Sequence, residues 1–575
     1  MRSALGSSPS FEPPGPGTWT LDTAHFPQPA SRFARELFGE PARRGFQEAT
    51  ARYGLLMDHI EWSFVQGWAY LCPRPIAPLR DAGERLTRAA WDELVGSTPA
   101  LGERLATSAG VFEDRRWRGD VARWDDQTKP EMRRDHMRLQ ALDPASLAAG
   151  ELLSHLQRCR RNLQRAVYEH HRLNVAPVIP VGDLLVHAGE WAGQSPAELV
   201  GLVSGGGPLS LGAAPELARL ATAIREDPPA AAGVFSDAEP RAILAALVST
   251  PGAVGAAASR YVELVGCWSA GGGTDVGEPC LLEMPHVLVE TVRAAVARER
   301  GGADADAEAQ AGAATELAGA VRAAVPPDRR EAFDELLAEA RATHRLRDER
   351  AIYCDVWACG LTRRAILAAG KRLAGAGAIE RAEDLVEAGY AEIRSLLEGA
   401  PGPSGEELAA RGRYRLRADE DQAPAVLHGR PSAPPPLAWL PPGAARTERA
   451  FRAYVGAMSG EAQEAAGTGG TVRGLAASPG THEGRARVVR SPSELGRVGR
   501  GDVLVTGSTT PAFNAILPLV GAIVTDRGGL LSHAAIVARE YGIPAVVGTG
   551  EATRRIPDGA LVRVDGASGE AGVIG

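Results

Sequence analysis

The spacing of the apolar residues changes along this chain, and this change constrains the fold more than any other feature. From Arg32 to about Ala400, apolar residues recur at three- and four-residue intervals, as in amphipathic helices. The clearest examples are Glu151–Arg172, Ala213–Arg225 and Glu331–Arg347. The C-terminal part has short β-type runs instead, at Ala486–Val489, Asp502–Thr506, Ala522–Thr525, Ala545–Val547 and Leu561–Val564. We therefore predict a multidomain protein with a large, mainly α-helical domain and a small C-terminal α/β domain.

Length and proline content indicate where the domains end. A chain of 575 residues exceeds what one hydrophobic core usually supports. The first 20 residues are rich in Ser, Pro and Gly, and prolines crowd Ala423–Pro442, where they favour an extended linker. We predict a disordered N-terminus over residues 1–20, a helical substrate-binding domain over 21–400, a proline-rich linker over 401–470 and the C-terminal domain over 471–575.

Composition excludes several classes of protein. The formal net charge is −8, which argues against a dedicated nucleic-acid binder. The apolar runs are shorter than the ~20 residues that cross a bilayer, and the N-terminus lacks a signal-peptide run, so a cytoplasmic protein without membrane contact is expected. The six cysteines form no CxxC pair, so we predict neither a disulfide framework nor a bound structural metal.

The stretch from Thr525 to Gly548 carries the strongest local signal. It reads as a strand, a glycine turn, a helix, a stop and a second strand. Gly528 and Gly529 permit a tight turn, and Ser532 is a good N-cap, which places His533 in the first helical turn. Gly542 predicts the C-terminal end of that helix.

A histidine at a helix N-terminus is suited to carrying a phosphoryl group. The unpaired backbone N–H groups and the positive end of the helix dipole stabilise an anion there. Neutral imidazole is also a nucleophile near neutral pH. The alternative is that His533 only helps to cap the helix, and in either case we expect a first-turn side chain at the surface.

Residues Thr525, Gly528, Gly529, Ser532 and His533 match a Thr-x-x-Gly-Gly-x-x-Ser-His signature. From about Gly474 to its end, the chain resembles the swivelling phosphohistidine domain of the phosphoenolpyruvate-utilising enzyme superfamily. The resemblance implies that these five residues form the catalytic site and that His533 carries a phosphoryl group between two distant sites. It also implies that Thr525 helps to hold the histidine or its phosphate.

The helical region weakly resembles the substrate domain of rifampicin phosphotransferase. It also resembles stand-alone proteins related to phenylphosphate synthase, which lack the ATP-grasp domain. The segments that carry this resemblance are Tyr261–Trp268 and Ala340–Arg350. Two departures are visible: Cys267-Trp268 stands where the motif has His-Arg, and Ala351 stands where it has a lysine.

Four residues of these segments are candidates for substrate binding. Arg347 could clamp a phosphate or substrate oxygen, since guanidinium groups pair with both. His344 lies one turn before Asp348 and near Arg347, which makes both residues candidates for the same site. Trp268 is consistent with an aromatic-substrate pocket, but core packing explains it equally well.

The two resemblances imply a phosphotransferase component of the dikinase type. Members of the phosphoenolpyruvate-utilising superfamily usually pair the phosphohistidine domain with an ATP-grasp domain, but only two lysines occur here and no ATP-grasp pattern is visible. The resemblance therefore implies that ATP and Mg²⁺ bind to a separate ATP-grasp partner, with no cofactor on this chain. The partner would phosphorylate His533, and the acceptor would be a hydroxyl of a small organic substrate in the helical domain. The alternatives are a secondary-metabolism dehydratase or condensing synthase that uses transient phosphoryl activation, and a non-catalytic relic.

Overall fold

A computed structural model describes residues 10–77, 86–203, 213–270, 273–297, 302–418, 422–429, 433–459, 471–490, 492–509, 513, 516–517 and 519–574. These residues form two compact units. The first unit lies within Met1–Val175, Gly272–Gly277 and Tyr353–Glu448, and the second within Ala176–Gly271, Glu278–Ile352 and Arg449–Gly575. Helices are numbered α1–α23 and strands β1–β12 along the chain. No helix in the ranges above is long and apolar enough to cross a membrane.

The first unit is mainly helical. Its helices are α1 (Arg32–Leu37), α2 (Gly39–Tyr53), α3 (Arg88–Ser97), α4 (Pro99–Ala109), α5 (Arg116–Arg123), α6 (Lys129–Ala141), α7 (Ala149–Arg172), α18 (Trp357–Gly375), α19 (Tyr390–Leu397) and α20 (Gly405–Arg417). Helix α7 packs against both α2 and α18. The helical periodicity of Glu151–Arg172 is thereby confirmed.

The first unit also contains a four-stranded antiparallel sheet that the periodicity did not predict. Its strands are β1 (Trp19–Leu21), β2 (Met57–Val65), β3 (Trp68–Pro75) and β4 (Val426–Leu427), in the order β2-β3-β1-β4. A two-residue turn joins β2 to β3, with φ angles of 52° at Gln66 and 83° at Gly67, as tight hairpins require. Trp19 is buried in this sheet, so β1 begins inside the stretch predicted to be disordered, of which residues 1–9 lie outside the described residues.

The second unit begins with a series of helices. They are α8 (Val175–Ala192), α9 (Pro196–Leu199), α10 (Ala214–Arg225), α11 (Pro228–Val234), α12 (Pro240–Ser249), α13 (Ala253–Val265), α14 (Pro285–Ala297), α15 (Gly302–Ala324), α16 (Arg330–His344) and α17 (Leu346–Arg350). Later along the chain come α21 (Pro442–Ser459), which belongs to this unit from Arg449 onwards, α22 (His533–Tyr541) and α23 (Ala552–Arg555). The helices predicted over Ala213–Arg225 and Glu331–Arg347 are confirmed.

The C-terminal residues of the second unit form an eight-stranded sheet. The strands are β5 (Thr471–Arg473), β6 (Leu475–Ser478), β7 (Thr481–Val489), β8 (Val503–Thr506), β9 (Ala522–Thr525), β10 (Ala545–Val547), β11 (Leu561–Asp565) and β12 (Glu570–Val573). Their order is β5-β12-β11-β7-β8-β9-β10-β6, and β7, β8, β9 and β10 run parallel. The predicted fold class, a large helical part with a small C-terminal α/β domain, is confirmed.

Apolar packing fixes the position of α22 and of the turn that precedes it. Ala534, Ala535 and Val537 of α22 belong to a buried core shared with helices α10–α14. The preceding residues Leu530 and Leu531 belong to a second core, together with side chains of α8 and α16. Because the turn before α22 shares a core with α16, it lies beside the helix that ends at His344.

Two helices lie inside the segment that composition predicted as a linker. Helix α20 precedes the cluster of prolines, and α21 begins with Pro442 as its first residue. Proline is tolerated there because the first helical N–H has no partner within the helix. Residues 460–470 lie outside the described residues, and the predicted domain boundaries stay predictions.

Candidate active site around His533

Helix α22 begins as the sequence predicted. Ser532 is its N-cap, with φ −67° and ψ 160°, and the Ser532 hydroxyl accepts a hydrogen bond from the Ala535 N–H. His533 is therefore the first helical residue. At the other end, Gly542 adopts the left-handed conformation with φ 62° and ends the helix.

The turn before the helix depends on Gly528. This residue has a φ of 109°, and an added Cβ would lie 2.8 Å from both Cβ and Oγ of Ser532. The Gly529 N–H donates to the Met458 carbonyl and the Leu531 N–H to the Ala457 carbonyl, at 2.8 and 3.2 Å. The turn is therefore fixed by backbone hydrogen bonds to the end of α21.

We expect Gly528→Ala to destabilise the second unit by about 1–3 kcal/mol, because it combines a strained φ with a steric clash on the N-cap. Gly542→Ala is the matched control: its φ is also positive, but an added Cβ would meet no atom within 4 Å. Urea denaturation of the two variants measures the difference. An equal loss of stability in both would contradict the role assigned to the Gly528 turn.

The His533 side chain is buried, which differs from the expected surface position. Only 7% of the residue is exposed, because α22 packs its first turn into the core of the unit. Imidazole Nδ1 lies 2.9 Å from the hydroxyl oxygen of Thr509. Nε2 is buried and has no hydrogen-bond partner among the described residues. Burial and the charge of Arg347 lower the pKa of His533 to about 3, so the ring is neutral at physiological pH.

Thr509 was not among the predicted site residues. It follows β8, and His533 follows β9, the neighbouring parallel strand. The carboxyl ends of adjacent parallel strands meet at one edge of a sheet, which is where such folds place their sites. That topological rule is the signal that could have identified Thr509.

The predicted residue Thr525 has a different environment. It is fully buried, and its hydroxyl donates to the Arg527 carbonyl at 2.8 Å. Its own carbonyl accepts hydrogen bonds from the N–H and the hydroxyl of Thr549. Among the described residues, the structure therefore brings Thr509, and not Thr525, into contact with the imidazole.

Arg347 connects helix α17 to the turn before His533. Its guanidinium donates a hydrogen bond to the Leu531 carbonyl, two residues before His533. A second arginine, Arg539 of α22, donates to the carbonyls of Ala477 and Leu530 at 2.9 and 2.7 Å. Burial lowers the pKa of Arg539 to about 10, which leaves it charged at neutral pH. The guanidinium groups of Arg347 and Arg539 therefore bond to two successive carbonyls in the turn before α22, those of Leu531 and Leu530.

The predicted residues His344 and Asp348 are both influenced by the charge of Arg347. His344 is 7% exposed, and burial together with the charges of Arg347 and Arg539 lowers its pKa to about 3. Asp348 is half-buried, and desolvation raises the pKa of its carboxyl, against the attraction of Arg347 and Arg350. Desolvation and the neighbouring Asp348 also raise the pKa of Glu540 on α22 to about 8.

Trp268 occupies the connection between α13 and α14. It packs against the apolar core of the second unit, and its backbone N–H donates to the Val265 carbonyl. Its indole Nε1 is buried without a hydrogen-bond partner in the described part of the chain. Core packing is therefore the environment that the structure shows for Trp268.

The two buried histidines and Glu540 should make the stability of the fold depend on pH in opposite directions. His344 and His533 have folded-state pKa values near 3 against 6.5 for free histidine, so the unfolded chain binds more protons between these values. Stability is then fully present above pH 6.5 and falls as the pH drops towards 3. Glu540 has the reverse shift, from 4.5 to about 8, so its contribution falls as the pH rises from 4.5 to 8.

Denaturation of wild type and variants against pH tests both signs. Relative to His344→Gln, wild type should lose about 1.4 kcal/mol per pH unit below pH 6.5. Relative to Glu540→Gln, wild type should lose stability between pH 4.5 and 8. If the curves of stability against pH run parallel for wild type and His344→Gln, the shifted pKa of His344 is contradicted. Parallel curves for wild type and Glu540→Gln would contradict the shifted pKa of Glu540.

Comparisons with known proteins match two domains of this chain. Residues 498–569 match the mobile domain of PEP-utilising enzymes, and residues 175–348 match the fourth domain of rifampicin phosphotransferase. The chain therefore contains two domains found in enzymes that transfer phosphoryl groups. Arg347 lies in the second matched range and His533 in the first, so the two domains each supply one side of the candidate site.

Individual relatives of this chain include two phosphotransferases and a phosphoenolpyruvate synthase. The chain is 34% identical over 248 residues to the uncharacterized phosphotransferase YvkC of Bacillus subtilis, covering 43% of this chain and 28% of the relative. It is 49% identical over 100 residues to rifampicin phosphotransferase of Streptomyces sviceus, covering 17% of this chain and 11% of the relative. It is 54% identical over 99 residues to phosphoenolpyruvate synthase of Aeropyrum pernix, covering 17% and 12%. The matched regions thus span less than a third of each of these relatives.

Proposed function

We propose that this chain is the phosphoryl-carrying component of a two-protein phosphotransferase. His533 receives a phosphoryl group from a separate ATP-grasp protein and passes it to a hydroxyl of a small organic molecule. The observation that carries the proposal is the state of the His533 ring: it is neutral, its Nδ1 contacts Thr509, and its Nε2 has no partner among the described residues.

This arrangement favours nucleophilic attack by Nε2. When Nδ1–H donates to the Thr509 hydroxyl oxygen, the lone pair of the neutral ring is on Nε2. The N-terminus of α22 would stabilise a phosphoryl group attached there, and charge-assisted hydrogen bonds from Arg347 would stabilise it during transfer to the acceptor. Phosphoryl transfer depends mainly on such positioning and charge stabilisation.

ATP and Mg²⁺ are assigned to the partner in this proposal. The proposed partner would transfer the β-phosphoryl group of ATP to Nε2 with AMP as the leaving group, while water accepts the γ-phosphoryl group and releases it as inorganic phosphate. A gene for an ATP-grasp protein next to the gene for this chain would be the natural candidate.

Labelling with two forms of ATP tests the proposal. Wild-type protein incubated with the ATP-grasp partner should take up ³²P from [β-³²P]ATP and not from [γ-³²P]ATP. The bound phosphoryl should be acid-labile and base-stable, as a phosphoramidate is. Absence of label from both forms of ATP would refute the carrier function. Analysis of the products then separates a retained phosphate ester from free phosphate with a dehydrated or condensed product.

We expect Thr509→Val to slow phosphoryl uptake about tenfold, since it leaves the buried Nδ1 without a partner at a cost of about 1–3 kcal/mol. Valine is close to threonine in shape, so the change removes the hydroxyl and little else. Thr509→Ser keeps the hydroxyl and should label near the wild-type rate. Quench-flow labelling measures both rates, and an unchanged rate in Thr509→Val would show that Thr509 does not orient the ring.

A further inference from the structure

His344 is a buried polar group whose hydrogen-bonding capacity is incompletely used. It is the last residue of α16, it is 7% exposed, and its Nδ1 has no hydrogen-bond partner among the described residues. An unsatisfied buried polar atom costs about 1–3 kcal/mol. A ligand that donates a hydrogen bond to Nδ1 would remove that cost, and the carrier step proposed above does not use this imidazole.

The surroundings of His344 connect it to His533. Arg347 lies three residues further along the chain, where successive helical turns bring side chains to the same face. The same guanidinium bonds to the Leu531 carbonyl, next to Ser532 and His533. The charge of Arg347 acts on both imidazoles, so both rings lie within its electrostatic range.

We propose that His344 is the general base that takes the proton of the acceptor hydroxyl during transfer from His533. This inference rests on the proposed function. It names the group that accepts the proton of the acceptor hydroxyl, which the proposed function does not identify. In the step, the acceptor oxygen forms a bond to phosphorus while the bond between phosphorus and Nε2 breaks. The electron pair of the broken bond returns to Nε2, Nδ1 of His533 keeps its proton, and the hydroxyl proton moves to His344.

Because of Arg347 and Arg539, the basicity of His344 depends on whether His533 carries a phosphoryl group. In the unphosphorylated protein, burial and the charges of Arg347 and Arg539 keep His344 neutral and weakly basic. A dianionic phosphoryl group beside Arg347 would offset those charges and make the imidazole more basic. A base is most effective when its pKa lies near the working pH. His344 would therefore become competent when a phosphoryl group is present to transfer.

The test follows transfer from phosphorylated protein to a simple alcohol. The protein is loaded by the ATP-grasp partner and ATP, desalted, and mixed with methanol between pH 5 and 9. Methyl phosphate and inorganic phosphate are both counted by ³¹P NMR, so that transfer to methanol and to water is measured. Wild type should transfer faster as the pH rises through the titration of a single base.

His344→Gln should load normally, because the partner acts on His533. It should then transfer 10²- to 10⁴-fold more slowly, the usual range for loss of a general base, and its rate should lose the pH dependence of the wild type. His187→Gln, in the same unit, replaces a histidine that bonds to Asp183 and should behave as wild type. Normal loading with an unchanged transfer rate in His344→Gln would overturn this inference and leave the proposed function intact. Failure of wild type itself to load would refute the proposed function instead.

A second measurement does not depend on transfer or on the folding of His344→Gln. His533→Glu places a negative charge at the N-terminus of α22, beside Arg347. In protein labelled with ¹⁵N at histidine, the pKa of His344 should rise by at least two units in this variant. An unchanged titration would show that charge at position 533 does not control the basicity of His344.

Discussion

His533→Asn will take up no phosphoryl group from the ATP-grasp partner, a loss of at least 10³-fold against wild type. Asparagine can still bond to Thr509 through its amide, but it has no atom that corresponds to Nε2, the proposed nucleophile. Asparagine is preferable to alanine here, because His533 is buried and a full truncation would leave a cavity in the core around α22. The readout is ³²P uptake from [β-³²P]ATP under conditions that saturate the wild type.

His482→Gln is the matched control for this variant. His482 lies on β7 of the same sheet, and its Nε2 is 2.8 Å from the Gly501 carbonyl oxygen, a contact that serves the strand connections. This variant should take up phosphoryl as wild type does. Uptake by His533→Asn at the wild-type level would place the carrier on another histidine, and the proposed mechanism would have to be abandoned.

Arg347→Ala will separate loading from transfer. We expect phosphoryl uptake from the partner to stay within threefold of wild type, because Arg347 comes from α17, outside the matched mobile domain. Transfer to an acceptor should fall 10²- to 10³-fold, the usual cost of removing one donor that stabilises transition-state charge. Single-turnover transfer from the phosphorylated protein to methanol gives the rate.

Two further variants of α17 and its N-cap refine this result. Arg347→Lys keeps the charge but loses the forked donor geometry, so it should recover only part of the transfer rate. Arg345→Ala removes an arginine that pairs with Glu349 at 2.8 Å, and it should transfer as wild type does. Equal transfer by Arg347→Ala and Arg345→Ala would show that the guanidinium of Arg347 only holds the Leu531 carbonyl.

Secondary structure near the site was predictable because it depends on local chemistry. Ser532, Gly528 and Gly542 specify a cap, a turn and a helix end through backbone rules that act over a few residues. Strands β9 and β10 were predicted with their observed bounds, because short apolar runs between glycine and proline turns have few alternatives. The sheet of the first unit was missed, since β1 and β4 have only three and two residues and lie far apart along the chain. The longer hairpin of β2 and β3 lies within a region dominated by helical periodicity.

The sequence by itself determined that His533 begins a helix behind a Gly-Gly turn, and it indicated Arg347, His344 and Asp348 as candidates. Only the tertiary structure decided that His533 is buried, that Thr509 rather than Thr525 contacts its ring, and that Arg347 reaches the Leu531 carbonyl. The physical reason is the distance along the chain between the residues that decide each property. Caps, glycine turns and helix ends are favoured by neighbours along the chain, whereas burial, the pKa of an imidazole and the partners of Thr509 and Arg347 depend on residues that only the folded chain brings together, from 24 to 184 positions apart.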